Sequence, residues 1–354
     1  MILFVVLLAL LCLYQIRFSF TGKGKQTAQN QIFTDYNSLE KTTSIKGIFI
    51  LIVFLNHAAS YLQLSDSFVN TLYFSFIGII GQAMVAMFLF YSGYGVMLSI
   101  DKKGAAYVKS IPSKRAGKVL VNFDIAVLLF LIVQTVLGNT FPLKTILFAF
   151  IGWEAVGNSN WYIFDILVLY LLTYCAFLIA GKRKKLGIAL TAGFTALFIV
   201  FLYVFKDSWW YDTVLCYPLG MLYYASKDRI EALLAKHKVN YYLVLLAVAV
   251  LFVMAHKLMD YPVFMIINNL CFSLLVVLLT MKVSLHNKIL HFFGKHLFSV
   301  YILQRLPMLV FAHLGVTNQY LFVVLSFAVT VLLAVLFDDG IGKLWKKIEK
   351  TRRS

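Results

Sequence analysis

Apolar runs of about 17 to 25 residues alternate with short clusters of charge along almost the whole chain, a spacing far longer than any strand or amphipathic surface helix requires. Each run can cross a bilayer core as a helix, and a helix satisfies its own backbone there. The pattern predicts an all-α, polytopic transmembrane helix bundle of about eleven spans, at 2–20, 44–64, 72–100, 119–138, 161–181, 186–205, 212–226, 241–256, 262–281, 297–313 and 319–337. The run 144–153 is too short to cross and is expected as a half-helix or re-entrant piece before the polar loop 154–160. The tail 338–354 is expected to lie as an amphipathic helix on the inner leaflet.

Composition agrees with lipid as the solvent. Hydrophobic residues are 61% of 354, charged residues only 13%, and mean hydropathy is +0.85, so a soluble domain of any size is excluded. A formal net charge of +17 suggests nucleic acid in a soluble protein, but here 28 of the 32 Lys and Arg residues fall in alternate connections. That is the positive-inside pattern, with the N-terminus outside and the C-terminus cytoplasmic. No nucleic-acid partner is expected. Cys12, Cys175, Cys216 and Cys271 lie inside apolar runs without pair spacing or companion histidines, so they are expected as core thiols, with no metal site. The first run has neither a basic n-region nor a small-residue cleavage site and is expected to be a retained helix.

Chemistry concentrates at few places. Lys46 and His57 are eleven residues apart in one run, which puts them about 20° apart on one helical face and about 16 Å apart along it. A histidine within a span exchanges protons near neutral pH, or is a neutral side chain hydrogen-bonded to a neighbouring helix. Ser92, Gly93 and Gly95 allow close approach of another backbone. Lys114, Arg115 and Lys118 sit at helical spacing in a basic connection that is first a topology signal and second a phosphate clamp. On the outer side, Glu154, Asn158, Asn160 and Trp161 combine carboxylate, amides and an aromatic plane, and Trp209, Trp210 and Tyr211 share that face; an interfacial belt and a sugar site both fit. Arg305, beside Gln304, is a cation inside a span and needs an anion, from the protein or a ligand. Asp124 and Asp165 lie near span ends, and the remaining histidines fall in connections where solvation explains them.

These pieces, in this order, resemble the acyltransferase 3 family of integral-membrane enzymes that acylate bacterial surface and secreted glycans. The resemblance runs through Lys46, ten residues, then His57, where the family has arginine before its histidine. It continues through Phe88-Leu-Phe-Tyr-Ser-Gly-Tyr94, Arg115-Ala-Gly-Lys118, Asn160-Trp-Tyr-Ile-Phe164, Pro218-Leu-Gly-Met221 and Gly294 to Gln304, with Gln304 where many relatives carry histidine. It covers residues 36–340, leaving 1–35 as an extra helix and linker and 341–354 as a basic tail.

What the resemblance implies is a multi-pass enzyme of the bacterial plasma membrane. It would take an acyl group, acetyl by family habit, from cytoplasmic acetyl-CoA to a hydroxyl of an exported glycan or glycolipid, with glycan-assembly enzymes as further partners. Lys114, Arg115 and Lys118 would then hold CoA phosphates, with Ser92 along the pantetheine path. His57 would act as general base or carry the acyl group, and Lys46, Arg305 and Gln304 would steady the developing charge. A transporter or flippase for a glycan or lipid-linked precursor, and a membrane scaffold, are the competing readings; absence of repeated halves argues against the first.

Overall fold

The computed structural model describes residues 1–18, 32–64 and 66–351, of which nearly all the ordered elements are helices. Most of the linker expected before residue 36, and residues 352–354 of the tail, lie outside the described residues. In chain order the elements are α1 (Ile2–Leu13), β1 (Arg17–Phe18), α2 (Leu39–Ala59), α3 (Phe68–Ile80), α4 (Ala83–Lys103), α5 (Ala105–Ile111), a π-helical turn (Pro112–Ala116), α6 (Gly117–Val136) and α7 (Leu143–Ala149). There follow α8 (Trp161–Ala180), α9 (Lys184–Phe205), α10 (Cys216–Lys236), α11 (Lys238–Lys257), α12 (Pro262–Lys282), β2 (Val283–Ser284), α13 (Lys288–Lys295), α14 (Leu297–Leu303), α15 (Arg305–His313) and α16 (Gln319–Thr351).

Eight helical segments among the described residues are long and apolar enough to cross a membrane. Large apolar side chains face outward along them, as with Leu243, Leu246, Val250 and Val253 on α11, which lipid and not water would cover. The bundle is the all-α, polytopic architecture expected from the apolar pattern.

Element boundaries differ from those expected, most plainly in four places. The first apolar run forms only twelve helical residues, about 18 Å, because the chain turns at Gln15 with φ 62° and enters a two-stranded antiparallel pair, Arg17 with Ser284 and Phe18 with Val283. Asn287 reinforces this fastening: its Nδ2 donates to the Leu11 carbonyl at 2.9 Å while its Oδ1 caps α13 at Leu290. The third run is two helices, broken at Gly81 and Gln82, and α4 alone has the length of a crossing. The run 297–313 breaks at Gln304, where Pro307 supplies no N–H to the Leu303 carbonyl and its ring crowds that turn. The tail expected as a separate surface helix instead continues α16 to 33 residues, about 50 Å. Asp338, at the start of the extension, bonds His296 and Ser299, and Trp345 further on donates to Asn122 of α6, so the extension is held against the bundle.

Two glycine seams bring the functional helices together. On α4, a Cβ at Gly93 would collide with the Tyr217 carbonyl of α10, and one at Gly220 of α10 would collide with the Phe90 carbonyl of α4. The same reciprocity joins α2 to α13, through Gly47 against Leu290 and Gly294 against Thr43. Small residues at these positions let backbones meet, which is how helices associate where lipid removes the hydrophobic drive. The start of α2 is fixed separately. Tyr36, fully buried, lies 2.5 Å from the Tyr223 hydroxyl and donates to Glu231 Oε1 at 2.9 Å. Burial, then Tyr223 and Glu231 beside it, pushes its phenol above the usual tyrosine range, so it remains a donor.

Gly95, in contrast to Gly93, faces open space. Gly93→Ala is therefore expected to lower the thermal unfolding midpoint of the purified protein, with an overpacking cost of about 1–3 kcal/mol. Gly95→Ala should be neutral or stabilise by up to about 1 kcal/mol through helix propensity. Equal midpoints for the two variants would remove the seam as the explanation of α4 packing.

Candidate functional site

The residues that can do chemistry occupy the interior between α2, α4, α8, α10 and the broken pair α14–α15. His57 stands in the last turn of α2, two residues before its end, and so nearer a helix end than the centre of the crossing. Its ring is half-buried, and Nδ1 is buried without a hydrogen-bond partner among the described residues. The charge that reaches it belongs to Arg305. Arg305 is presented at the first position of α15 by the Pro307 break, and its Nε donates to the Tyr61 hydroxyl at 3.0 Å, with the guanidinium 5.5 Å from that ring. Tyr61 in turn stacks on Phe322 of α16 at 6.3 Å. Arg305 has no carboxylate in ion-pair contact among the described residues. A half-buried guanidinium beside an imidazole, with no resident anion, is suited to meeting negative charge that arrives or develops there.

Gln304, at the break itself, is wholly buried; Nε2 donates to the Tyr301 carbonyl at 3.3 Å and Oε1 has no partner. Lys46 lies on the same helix as His57 toward its basic end, half-buried and without an ion pair among the described residues. Both therefore hold unspent polar capacity on the helices that carry His57 and Arg305.

The basic connection is less regular than its spacing suggested. Lys114 and Arg115 fall within the π-helical turn, where the Gly117 N–H reaches back five residues to the Pro112 carbonyl, so Lys114 and Lys118 are not stacked one α-turn apart. Arg115 turns to α5, its Nε donating to the Tyr107 hydroxyl at 2.9 Å, and its charge reaches Tyr170 and Tyr217. Ser92 is tied to the same group, its Oγ 3.0 Å from the Tyr170 hydroxyl. Lys114 is exposed. Lys118 lies 4.9 Å from the ring of Trp345, whose Nε1 donates to Asn122 of α6 at 3.1 Å. The structure thus brings Ser92 and Arg115 together around Tyr170, and joins Lys118 to α16.

Tyrosines connect the two ends. Tyr170 and Tyr162 are eight residues apart on α8, and Tyr162 meets Tyr301 edge-on at 5.4 Å, whose phenol lies within electrostatic reach of Arg305. Sequence reasoning did not single out this file of phenols, because tyrosines scattered over α5, α8, α10 and α14 carry no common spacing. His286, expected to be solvated, is instead partnered, its Nδ1 2.7 Å from Ser44 Oγ and its Nε2 2.9 Å from Glu40 Oε1. Ser44 is completely buried, so this serine–histidine–glutamate arrangement anchors the first turns of α2.

At the opposite end, the candidate sugar-binding residues hold their own loop. Asn158 accepts from the Val156 N–H at 2.9 Å, and Asn160 Nδ2 donates to the Gly152 carbonyl at 2.9 Å, while Asn158 Nδ2 is buried without a partner. Glu154 is exposed and Trp161 half-buried at the start of α8. Lys206 sits against the adjoining Trp153 and Trp210, with Nζ 3.9 and 4.3 Å from the two ring centres. Burial there holds the Lys206 ammonium below the usual lysine range, against the opposing pull of Glu154 and Asp207.

The family model for the acyltransferase domain, acyltransferase 3, matches residues 43–339, from the first turns of α2 into the middle of α16. No curated protein and no solved structure gives a match. The matched span covers most of the chain, with His57, the paired glycine seams and Arg305 at the Pro307 break all within it, and by that extent the chain belongs to the acyltransferase 3 family.

Proposed function

We propose that this membrane acyltransferase moves an acyl group, acetyl in the simplest case, from cytoplasmic acyl-CoA to a hydroxyl of an exported glycan or glycolipid in the bacterial plasma membrane. The observation that carries the proposal is the facing pair His57 and Arg305, joined by tyrosines to a second cationic group, Arg115, at the basic end of the bundle. Arg115, with Lys118 and Lys114 around it, supplies charge for the diphosphate and ribose phosphate of the donor. Ser92 and Tyr170 line the way inward for the pantetheine arm.

Chemistry then follows from the groups left unpartnered. His57 takes the proton of the acceptor hydroxyl as its oxygen attacks the thioester carbonyl carbon. Arg305 neutralises the tetrahedral oxyanion, the second N–H of Gln304 Nε2 donates to it, and Lys46 contributes positive charge along the same helix as His57. The carbon–sulfur bond breaks, and the thiolate of CoA receives the proton that His57 took up. In the covalent variant His57 attacks the thioester first and the hydroxyl then attacks the acyl-imidazole, with the same net balance. Glu154, Asn158, Asn160 and Trp161 supply the acceptor side with amide, carboxylate and aromatic surface.

The C-terminal stretch of α16 belongs to the donor side of this proposal. Trp345 lies beyond the matched domain and is the sole tryptophan near the basic connection, the other four being Trp153, Trp161, Trp209 and Trp210 around the opposite end.

His57→Ala is expected to lower acyl transfer from acetyl-CoA by about 10²–10⁴-fold in proteoliposomes while CoA binding is retained; undiminished transfer would remove His57 from the mechanism. Arg115→Ala should raise KM for the donor by about tenfold to a hundredfold, the loss of charge-assisted hydrogen bonds worth about 1.5–3 kcal/mol, with kcat little changed. CoA should quench part of the intrinsic fluorescence of the wild type but none of that part in Trp345→Phe; equal quenching in both would move the donor away from α16.

A further inference from the structure

Away from His57, the interior contains a second polar group that neither the acyl transfer nor the packing uses. Asp165, in the second turn of α8, is completely buried, and neither carboxylate oxygen has a hydrogen-bond partner. The charged residue within its reach is another acid, Asp212, 4% exposed in the connection leading to α10, whose Oδ1 is also unpartnered. No Lys or Arg pairs with either among the described residues.

Neutral oxygens complete the group. Asn269 of α12, 1% exposed, donates its Nδ2 to the Asp212 carbonyl at 3.2 Å, which seats the amide against Asp212 and leaves its own Oδ1 without a donor. Thr213, wholly buried beside Asp212, has an unpartnered Oγ1. Gln82, from the break between α3 and α4, donates its Nε2 to the Trp209 carbonyl at 2.7 Å and also lies within reach of the Asp212 carboxylate. Five buried oxygens from three elements are therefore acceptors in search of positive charge: two of Asp165 and one each of Asp212, Asn269 and Thr213. Two ionised carboxylates in such a place cost several kcal/mol each unless positive charge, from a cation or a proton, compensates them.

We infer that Asp165, Asp212, Asn269 and Thr213 bind one monovalent alkali cation, sodium in size, which ties α8 to α10 and α12. The donor set selects the ion. All-oxygen ligands exclude soft metals, and no three His, Cys, Asp or Glu converge among the described residues. Calcium takes about six to eight oxygens, and magnesium keeps several waters that a closed group cannot house. A monovalent ion leaves one negative charge, which the Gln82 and Asn269 amides at Asp212 support. The inference is independent of which substrate the enzyme acylates.

The test is thermal unfolding of the full-length protein in detergent in NaCl, KCl and choline chloride at equal ionic strength, with equilibrium binding of radiolabelled sodium alongside. Expected are a saturable rise of the midpoint by several degrees in sodium over choline, saturable sodium binding, and loss of both in Asp165→Asn and Thr213→Val. Identical midpoints in the three salts together with no saturable sodium binding by the wild type would overturn the site. So would an Asp165→Asn protein more stable than the wild type in every salt, which would mean that protons neutralise the pair. Should Asp165→Asn not fold, Thr213→Val and wild-type sodium binding decide the question.

Discussion

Everything in the interior depends on backbones meeting without side chains between them. Gly93 and Gly220 bring α4 and α10 into contact, and Gly47 and Gly294 do the same for α2 and α13. Because lipid tails are as apolar as leucine, no hydrophobic gain from water holds these helices together; close van der Waals contact over long stretches does. The seams therefore fix where α2 presents His57 and where α4 presents Ser92. They also make the rest of the bundle permissive. Helices such as α11, exposed along most of their length, can vary in apolar side chain without moving the site.

A second constraint sets the electrostatics. The interior holds more polar atoms without partners than packing alone would tolerate, among them His57 Nδ1, Gln304 Oε1 and the Tyr301 hydroxyl. These three lie on α2 and around α14, and a second group gathers about Asp165 and Asp212, whereas buried hydroxyls such as Thr173, Thr191 and Thr330 return a bond to the preceding helical turn. Unsatisfied groups gathered in one place mark where a polar guest belongs, and the helix break at Gln304 exists to turn such groups inward.

Much of this was legible in the sequence because lipid imposes one dominant signal. Apolar run length predicts the bundle, and of the glycines expected to admit another backbone, Gly93 meets α10 whereas Gly95 faces open space; Gly220, on the other side of that seam, carried no such expectation. Boundaries were less legible wherever a tertiary partner decided them. Nothing local announces that Arg17 leaves the first helix to pair with Ser284, or that Asp338 within α16 bonds His296 and Ser299. Among candidate residues, Ser92 and Arg115 meet through Tyr170, which no spacing foretells, since Tyr170 sits on a third helix. Lys114, Arg115 and Lys118 looked like one ridge because an α-helix was assumed, and the π-helical turn at Pro112–Ala116 separates them. Asn158 and Asn160 read as ligand-facing amides, yet much of their bonding is spent on their own loop.

The two-residue strand pair has a consequence for how the molecule is made. Arg17 leaves the ribosome 267 residues before its partner Ser284, and Asn287, which closes the end of α1, comes later still. Contacts that distant along the chain form late. Helix α1 can thus pack on α2 and α3 as soon as they are made, but its far end is fastened only after α12 has been threaded, so one end of the helix settles well before the other.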